Sequence, residues 1–360
     1  MLYLGIDQHR KQLTINLRQE DGAIIQRRQV GTRWADVRAF FAQLQQQAHE
    51  HGGWLVILEV CGFNDWLLEM LHEYGARDIV LLHPDSRQRR KTDRRDANKL
   101  GELLWINRQR LLTGQPVQGL RRVVIPSAAD QLDRRLTTLR WRLGREQTRV
   151  LNRIRHLLLR HNLDQHCPTK GLKTLKAWRW LKELSLDELD RLELDHLLER
   201  WPLLQTQLTA LEAKLKQRQA ANPNAVLLAS LPGGGAFTSL ALACRVGAVE
   251  RLPRPVSLPN YWGLTPACRN SGAATQRLGS ITKEGSALAR YLLGQMVIKV
   301  LKEDDRLRQW YKGIRRRRGS KIARVAVMRR LATVIWHMLK KRQPYRAGGV
   351  KPAAAADMGA

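Results

Sequence analysis

The chain has 360 residues, enough for two or three domains with cores of their own. Hydrophobic residues make up 43 %, which excludes a disordered polymer, yet 63 Lys and Arg stand against 32 acids for a net charge of +31. Such an excess repels itself unless a polyanion screens it, so nucleic acid is the expected partner. No apolar run is long enough to span a bilayer, so no membrane partner is expected. The opening MLYLGIDQHR is interrupted by Asp7 and His9 and is not a secretory signal, which predicts a cytoplasmic, nucleoid-associated protein. Cys61, Cys167, Cys244 and Cys268 form no CxxC pair, so a zinc site is not expected and the thiols read as reduced and mostly buried.

In chain order, LYLGID, QLTINLRQ and the stretch after the Asp21-Gly22 turn predict three strands. WADVRAFFAQLQQQAHEH follows with helical spacing, then the buried strand GGWLVILEV, the helix NDWLLEMLHEYG ending at Gly75, the strand ARDIVLLH and the helix TDRRDANKLGELLWINRQ. Three antiparallel strands followed by strands with crossover helices predict an α/β ribonuclease-H-like domain over residues 1–110. Residues 111–222 predict a basic, helical, coiled-coil-like region. Leu136, Leu143, Val150 and Leu157 recur every seven residues, and a second helix is expected after Pro202. The Leu seam leaves pairing within one chain or between chains open. Residues 223–345 predict a mainly α C-terminal domain. There SLPGGGAFTSLAL resembles a helix-hairpin-helix turn, and the closing stretch reads as two helices around a basic turn. The tail 346–360 reads as disordered.

Four acids fall at informative places. Asp7 ends the first strand, Glu59 ends the buried strand, and Asp93 and Asp96 lie three apart on one helical face. If the first and fourth strands are neighbours, all four reach one edge of the domain. Clustered carboxylates call for divalent cations, here Mg²⁺ or Mn²⁺, which suit phosphodiester chemistry. Arg87, Arg89, Arg90 and Lys91 crowd the two aspartates with charge suited to a phosphate backbone. Each acid alone also reads as an ordinary turn or cap residue; their joint placement argues against that.

GID, the ILEV strand and KTDRRDANKLGELL resemble the RuvC-like domain of the DEDD-type insertion-sequence transposases, the IS-one-ten family in its eleven-eleven branch. The resemblance implies a metal-ligand set of Asp7, Glu59, Asp93 and Asp96. Gly263-Leu264, Pro266, Ser271-Gly272 and the run from Arg277 to Gly285, which includes Lys283, resemble the family's second domain, where the nucleophilic serine maps to Ser271. Val60-Cys61-Gly62 after the glutamate, and Gly272 to Gln276, depart from the usual pattern. Arg269 and Arg277 flank the serine and suit phosphate charge. Being far from the acids in sequence, Ser271 implies a composite working site.

The resemblance further implies an RNA-guided recombinase that cuts and rejoins DNA. Its partners would be donor and target DNA, a structured guide (bridge) RNA, and its own copies as a dimer or tetramer. Arg142, Arg145, Arg149 and Arg153 on the long helix form one expected nucleic-acid surface, and Arg315, Arg316, Arg317 and Arg318 a second. The alternatives are a stand-alone metal nuclease of the Holliday-junction type, which needs only the acids, and a non-catalytic nucleic-acid scaffold.

Overall fold

The computed structural model describes residues 1–83, 93–115, 117, 120–268 and 278–347. The chain divides into two compact units, Met1–Ile125 and Pro126–Ala360.

The first unit is built on a mixed five-stranded sheet. Its strands are β1 (Leu2–Gln8), β2 (Gln12–Arg18), β3 (Ile24–Gly31), β4 (Trp54–Glu59) and β5 (Asp78–Leu82), in the spatial order β3-β2-β1-β4-β5. Strand β1 pairs antiparallel with β2 and parallel with β4, as the sequence predicts. The turn at Gly22 has φ +90°, and Asp21 accepts a hydrogen bond from the Ala23 amide at 2.8 Å.

Alternation sorts each strand into two faces. Leu2, Leu4, Ile6, Leu13, Ile15, Leu17, Val56 and Leu58 pack under α1 (Trp34–Glu50) and α2 (Asp65–Glu73). Helix α1 meets them with Val37, Phe40, Phe41, Leu44 and Ala48, the apolar stripe of a 3.6-residue period. Tyr3, Leu55, Ile57, Val80 and Leu82 face the other way, against Leu100 and Leu104 of α3 (Asp93–Ile106); α4 (Arg108–Leu112) adds Leu111 to the same layer.

The second unit is mainly helical. Helices α5 (Ala128–Arg160), α6 (Leu175–Glu183) and α7 (Glu188–Ala220) come first. Asp133 pairs with Arg218, Glu146 with Arg200 and Asp190 with Arg160, so the 33-residue helices α5 and α7 run antiparallel. The Leu seam is therefore satisfied within the chain. Val150 and Leu157 are buried with Leu194, Leu197, Leu198, Trp201 and Leu204 of α7. Pro202 does not start a helix, as the sequence suggested, but lies inside α7. An interior proline costs about 3 kcal/mol through its missing N–H. The buried residues on both sides of it outweigh that local preference.

Next come α8 (Pro223–Leu228), α9 (Ala236–Val246), α10 (Ser257–Tyr261), the antiparallel pair β6 (Pro266–Cys268) and β7 (Leu278–Ile281), α11 (Ala287–Glu303) and α12 (Asp305–Lys341). The helix–glycine–helix expectation holds at α8 and α9. A Cβ on Gly234 would lie 2.6 Å from the Leu228 carbonyl oxygen, so only glycine fits there. Helix α12 is two helices in conformation, broken at Gly319 (φ 81°, ψ 166°), which agrees with the expected basic turn. Of the tail expected to be disordered, 346–360, residues 348–360 lie outside the described residues.

Helix α3 lies on β1 backbone to backbone. A Cβ on Gly5 would stand 2.4 Å from the Gly101 amide nitrogen and 2.7 Å from the Ala97 carbonyl oxygen. Gly5→Ala should force the helix off the sheet and destabilise the first unit by about 1–3 kcal/mol, the usual cost of overpacking. Denaturant unfolding of the two proteins checks this; an unchanged midpoint would mean the helix yields without cost.

Candidate catalytic centre and nucleic-acid interface

The parallel register of β1 and β4 pairs Ile6 with Leu58. One step further along lie Asp7 and Glu59. Asp7 is two residues from Gly5, and Glu59 is two from Ile57, so both belong to the face that α3 covers. Helix α3 runs antiparallel to β1. Ala97 lies over Gly5, Gly101 is opposed by Asn16, and Trp105 bonds the Glu20 carbonyl beyond the far end of β2 at 3.1 Å. The start of α3, with Asp93 and Asp96, therefore sits at the Asp7–Glu59 end of the sheet. The carboxyl ends of parallel strands are where open α/β sheets hold their ligands.

All three described acidic side chains are half-buried: Asp7, Glu59 and Asp96. His9 Nε2 lies 3.0 Å from Asp7 Oδ2. Thr14 stands opposite Asp7 in the register, is buried, and has no hydrogen-bond partner for its Oγ1 among the described residues. On the other side of the strand ends, Asn64 Nδ2 donates to Gln8 Oε1 at 2.7 Å and to the Glu59 carbonyl at 3.2 Å. Its Oδ1 accepts from the Cys61 amide at 2.5 Å. This amide ties β1 to β4 at the level of the two acids. Asn16 and Asn98 do the same between β2 and α3, at 2.7 Å. Sequence reasoning missed His9, Asn64 and Asn16. The signal for Asn16 was a polar residue inside an apolar strand. For Asp93 the backbone alone is described, and Arg87, Arg89, Arg90 and Lys91 lie outside the described residues.

In the second unit, β6 and β7 enclose residues 269–277 in sequence, so Ser271, Arg269 and Arg277 lie outside the described residues. Their supports are described. Gly263 and Gly285 bring two loops into backbone contact: a Cβ on either would lie 2.1 Å from a carbonyl oxygen of the other loop. Arg290, also missed in the sequence, donates to the carbonyls of Trp262 at 3.0 Å and Glu284 at 2.9 Å. Lys283, next to this clamp, is exposed with φ +58°.

Arg142, Arg145, Arg149 and Arg153 are all exposed on α5. Their spacing of three or four residues makes one stripe along the helix. His156 and Arg160, overlooked in the sequence, continue it. The stripe ends in a cleft of about 340 Å³ lined by Arg149, Asn152, Arg153, His156, Arg160 and Glu193. At its end, Arg160 and His161 both bond the buried Asp190, while Asp187 caps the Asp190 amide at 3.0 Å. His161, Asp187 and Asp190 come within metal-ligand reach of one another. The Arg160 guanidinium already neutralises Asp190, so the cluster reads as a joint between α5 and α7.

Of the cysteines, Cys244 is buried, and Cys61 and Cys167 are half-buried thiols. Burial pushes the Cys244 thiol up to about 11, which keeps it protonated and inert. No helix among the described residues is long and apolar enough to cross a membrane.

One chain thus carries a sheet with carboxylates at its strand ends and an arginine-striped helical unit. Comparison with known proteins narrows the class. Residues 225–312 match the family model described as Transposase IS116/IS110/IS902 family. The chain is 28 % identical over 276 residues to the "Transposase for insertion sequence element IS1111A" of Coxiella burnetii, covering 72 % of this chain and 69 % of that protein. It is 25 % identical over 334 residues to the "Probable family 20 transposase" of Pseudomonas aeruginosa, covering 87 % and 90 %.

The Asp190 joint has a pH signature. The hydrogen bond from Arg160, followed by that from His161, holds the carboxyl below the usual carboxylate range. A depressed folded pKa contributes stability above the unfolded value and loses it as pH falls through the folded one. Asp190→Asn should therefore lower the melting temperature at neutral pH, and the difference should shrink in acid below the ordinary carboxylate range. Melting curves of both proteins from pH 7 downward provide the check; a difference independent of pH would refute the joint's ionic character.

Proposed function

We propose that this protein is a DNA transposase of the insertion-sequence type. It cuts and rejoins DNA with the carboxylates Asp7, Glu59, Asp93 and Asp96 of a ribonuclease-H-like, RuvC-like first unit and with Ser271 of the second unit as nucleophile. The observation that carries this reading is the meeting of Asp7, Glu59 and the first turn of α3 at one end of one sheet face. Strand alternation and a helix crossing, rather than sequence proximity, put these elements at one end of the sheet.

The donor set fits a hard divalent cation: carboxylate oxygens only, with the Thr14 hydroxyl buried beside Asp7 and no protein partner for it among the described residues. Asp7, Glu59, Asp93 and Asp96 would hold Mg²⁺ or Mn²⁺. Such an ion, when bound, supplies Lewis-acid stabilisation of the phosphodiester oxygens. His9 would steady the Asp7 carboxylate.

Ser271 would be the nucleophile. Its Oγ would form a bond to the scissile phosphorus as the bond to one DNA oxygen breaks. The serine proton would go to a base, and the departing DNA oxygen would take up a proton. The resulting phosphoserine diester keeps the energy of the broken linkage, so the reverse attack by a DNA hydroxyl rejoins strands without another energy source. Arg269, Arg277 and Lys283 would neutralise phosphate charge around the serine. The α5 stripe and the Arg315–Arg318 turn would hold donor and target DNA and a structured guide (bridge) RNA. Paired strand exchange calls for a dimer or tetramer.

Asp7→Asn should abolish DNA cleavage while keeping nucleic-acid affinity within about twofold. Normal cleavage by that variant would remove the acids from the chemistry. Trapping the reaction under denaturing conditions tests the serine. DNA should remain attached to the unaltered protein and be absent with Ser271→Ala. Cleavage by the acids without any adduct would instead make the protein a hydrolytic nuclease. Replacing Arg142, Arg145, Arg149 and Arg153 together by Gln should weaken binding of a structured RNA at least tenfold and spare the binding of duplex DNA. Equal losses would mark α5 as a general polyanion surface. Sequencing the RNA that copurifies with the protein checks guide binding directly.

A further inference from the structure

The break in α12 shapes a second basic feature. Gly319 has φ 81° and ψ 166°, a region essentially closed to residues with a side chain. The Arg330 guanidinium lies 5.2 Å from the centre of the Trp310 ring. In an unbroken helix these residues would stand about 30 Å apart. The chain therefore doubles back at Gly319, and Trp310 and Arg330 latch the two arms together through a cation–π contact. The second arm is anchored: Ala323, Val327, Met328 and Leu331 are buried, and Arg324 Nη2 donates to the Gly294 carbonyl of α11 at 2.8 Å. The first arm has only Leu307 buried. The result is a helical hairpin with a free tip.

The charges at that tip are all positive. Arg315, Arg316, Arg317, Arg318 and Lys321 surround Gly319, and all are exposed. No acid occurs in the sequence between Asp305 and Asp357. Successive residues on a helix are rotated by about 100°. Four consecutive arginines therefore radiate to all sides of the first arm. Arg315 and Arg318 share one side, as residues three apart do, while Arg316 and Arg317 point elsewhere. A helix laid flat along one phosphate strand would use two of the four and leave the others in water. All four find phosphates only where a strand lies on either side of the tip.

The major groove of B-form DNA is about 12 Å wide and is walled by two phosphate strands; a helix with its side chains is about 10–12 Å across, so the hairpin fits with its two arms side by side along the groove. The major groove of A-form RNA is too narrow to admit one. We propose that the α12 hairpin enters the major groove of duplex DNA end-on, with the four arginines gripping the phosphates of both strands. The inference rests on the nucleic-acid reading above and adds to it the partner, the groove and the mode of entry.

Salt dependence reads the number of phosphates held. Each contact to duplex DNA contributes about 0.9 to the slope of log K against log salt. The full chain is titrated with a labelled 30-base-pair DNA duplex by fluorescence anisotropy over a series of salt concentrations. Arg315→Gln, Arg316→Gln, Arg317→Gln and Arg318→Gln are measured one at a time, with melting curves to confirm that the fold is kept. Each should lower the slope by a similar amount, close to 0.9. A loss confined to Arg315 and Arg318 would mean a flat backbone contact and overturn the proposal. So would unchanged slopes in all four. A duplex RNA of the same length should show no such fourfold dependence; if it does, the B-form groove assignment falls. Failure of the unaltered chain to bind any nucleic acid would overturn the broader functional reading as well, which separates the two failures. Gly319→Ala, strained at that φ, should weaken DNA binding at least tenfold. Unchanged binding would show that the fold-back is dispensable.

Discussion

The approach of α3 to β1 is the contact on which the first unit's geometry turns. Gly5 and Gly101 have no side chains: the helix backbone fills the space of a Gly5 Cβ, and the Asn16 side chain fills that of a Gly101 Cβ. Closer packing moves the helix axis towards the sheet and puts its first turn level with the strand ends. Asp7 and Glu59 emerge there on the same face. With any larger residue at either glycine, the acids of the helix and those of the strands would separate by the thickness of a side chain. The Asn16–Asn98 hydrogen bond and the Asn64 bridge hold the helix and strand ends in that relation. Buried amides of this kind fix register because a shifted arrangement leaves them unpaired.

The second unit solves a different problem, the accommodation of positive charge. Its long helices place arginines on three kinds of surface. Some are bonded to acids across the α5–α7 pair, as Arg140 is to Glu212 and Arg218 to the buried Asp133. Others act as internal ties. Arg245 is buried in α9 and donates to Thr137 at 2.9 Å and Thr138 at 3.0 Å, while Arg134 reaches the Cys244 carbonyl at 2.8 Å. Others stand in water, among them those of the α5 stripe and the Gly319 turn. Arginines already bonded to acids or carbonyls have little charge left for a polyanion, so net charge alone overstates the interface.

Much of the architecture was legible in the sequence because its signals are local. Period-two runs marked the strands, and Gly22 and Gly75 marked their turns and helix ends. The strand order followed from placing three antiparallel strands before two crossover helices. The positions of Asp7 and Glu59 at strand ends followed from the same pattern. What stayed hidden depends on distant partners. Nothing local says that the Leu136–Leu157 seam meets α7, or that Pro202 can be carried inside a long helix by the packing around it. Asn16 read as a polar interruption in a strand, and its use became visible only with Asn98 opposite. His156 and Arg160 continue an arginine stripe at helical spacing, a signal that was present but diluted by the many other cations of α5. Arg290 lay in a helix whose first turn gave no hint that three loop carbonyls would converge on it.

The α5–α7 pair is also a ruler. From Arg142 to Arg160 the exposed stripe rises about 27 Å along a helix stiffened by its antiparallel partner. Duplex DNA advances about 3.4 Å per base pair. A straight duplex laid along the stripe would meet it for about eight base pairs, less than one helical turn, before its phosphates rotated out of reach. The arm cannot bend to follow them, because Arg140–Glu212 and Arg160–Asp190 clasp it near both ends. Any footprint longer than one turn must therefore draw on surfaces beyond this arm, which contributes only its own fixed length.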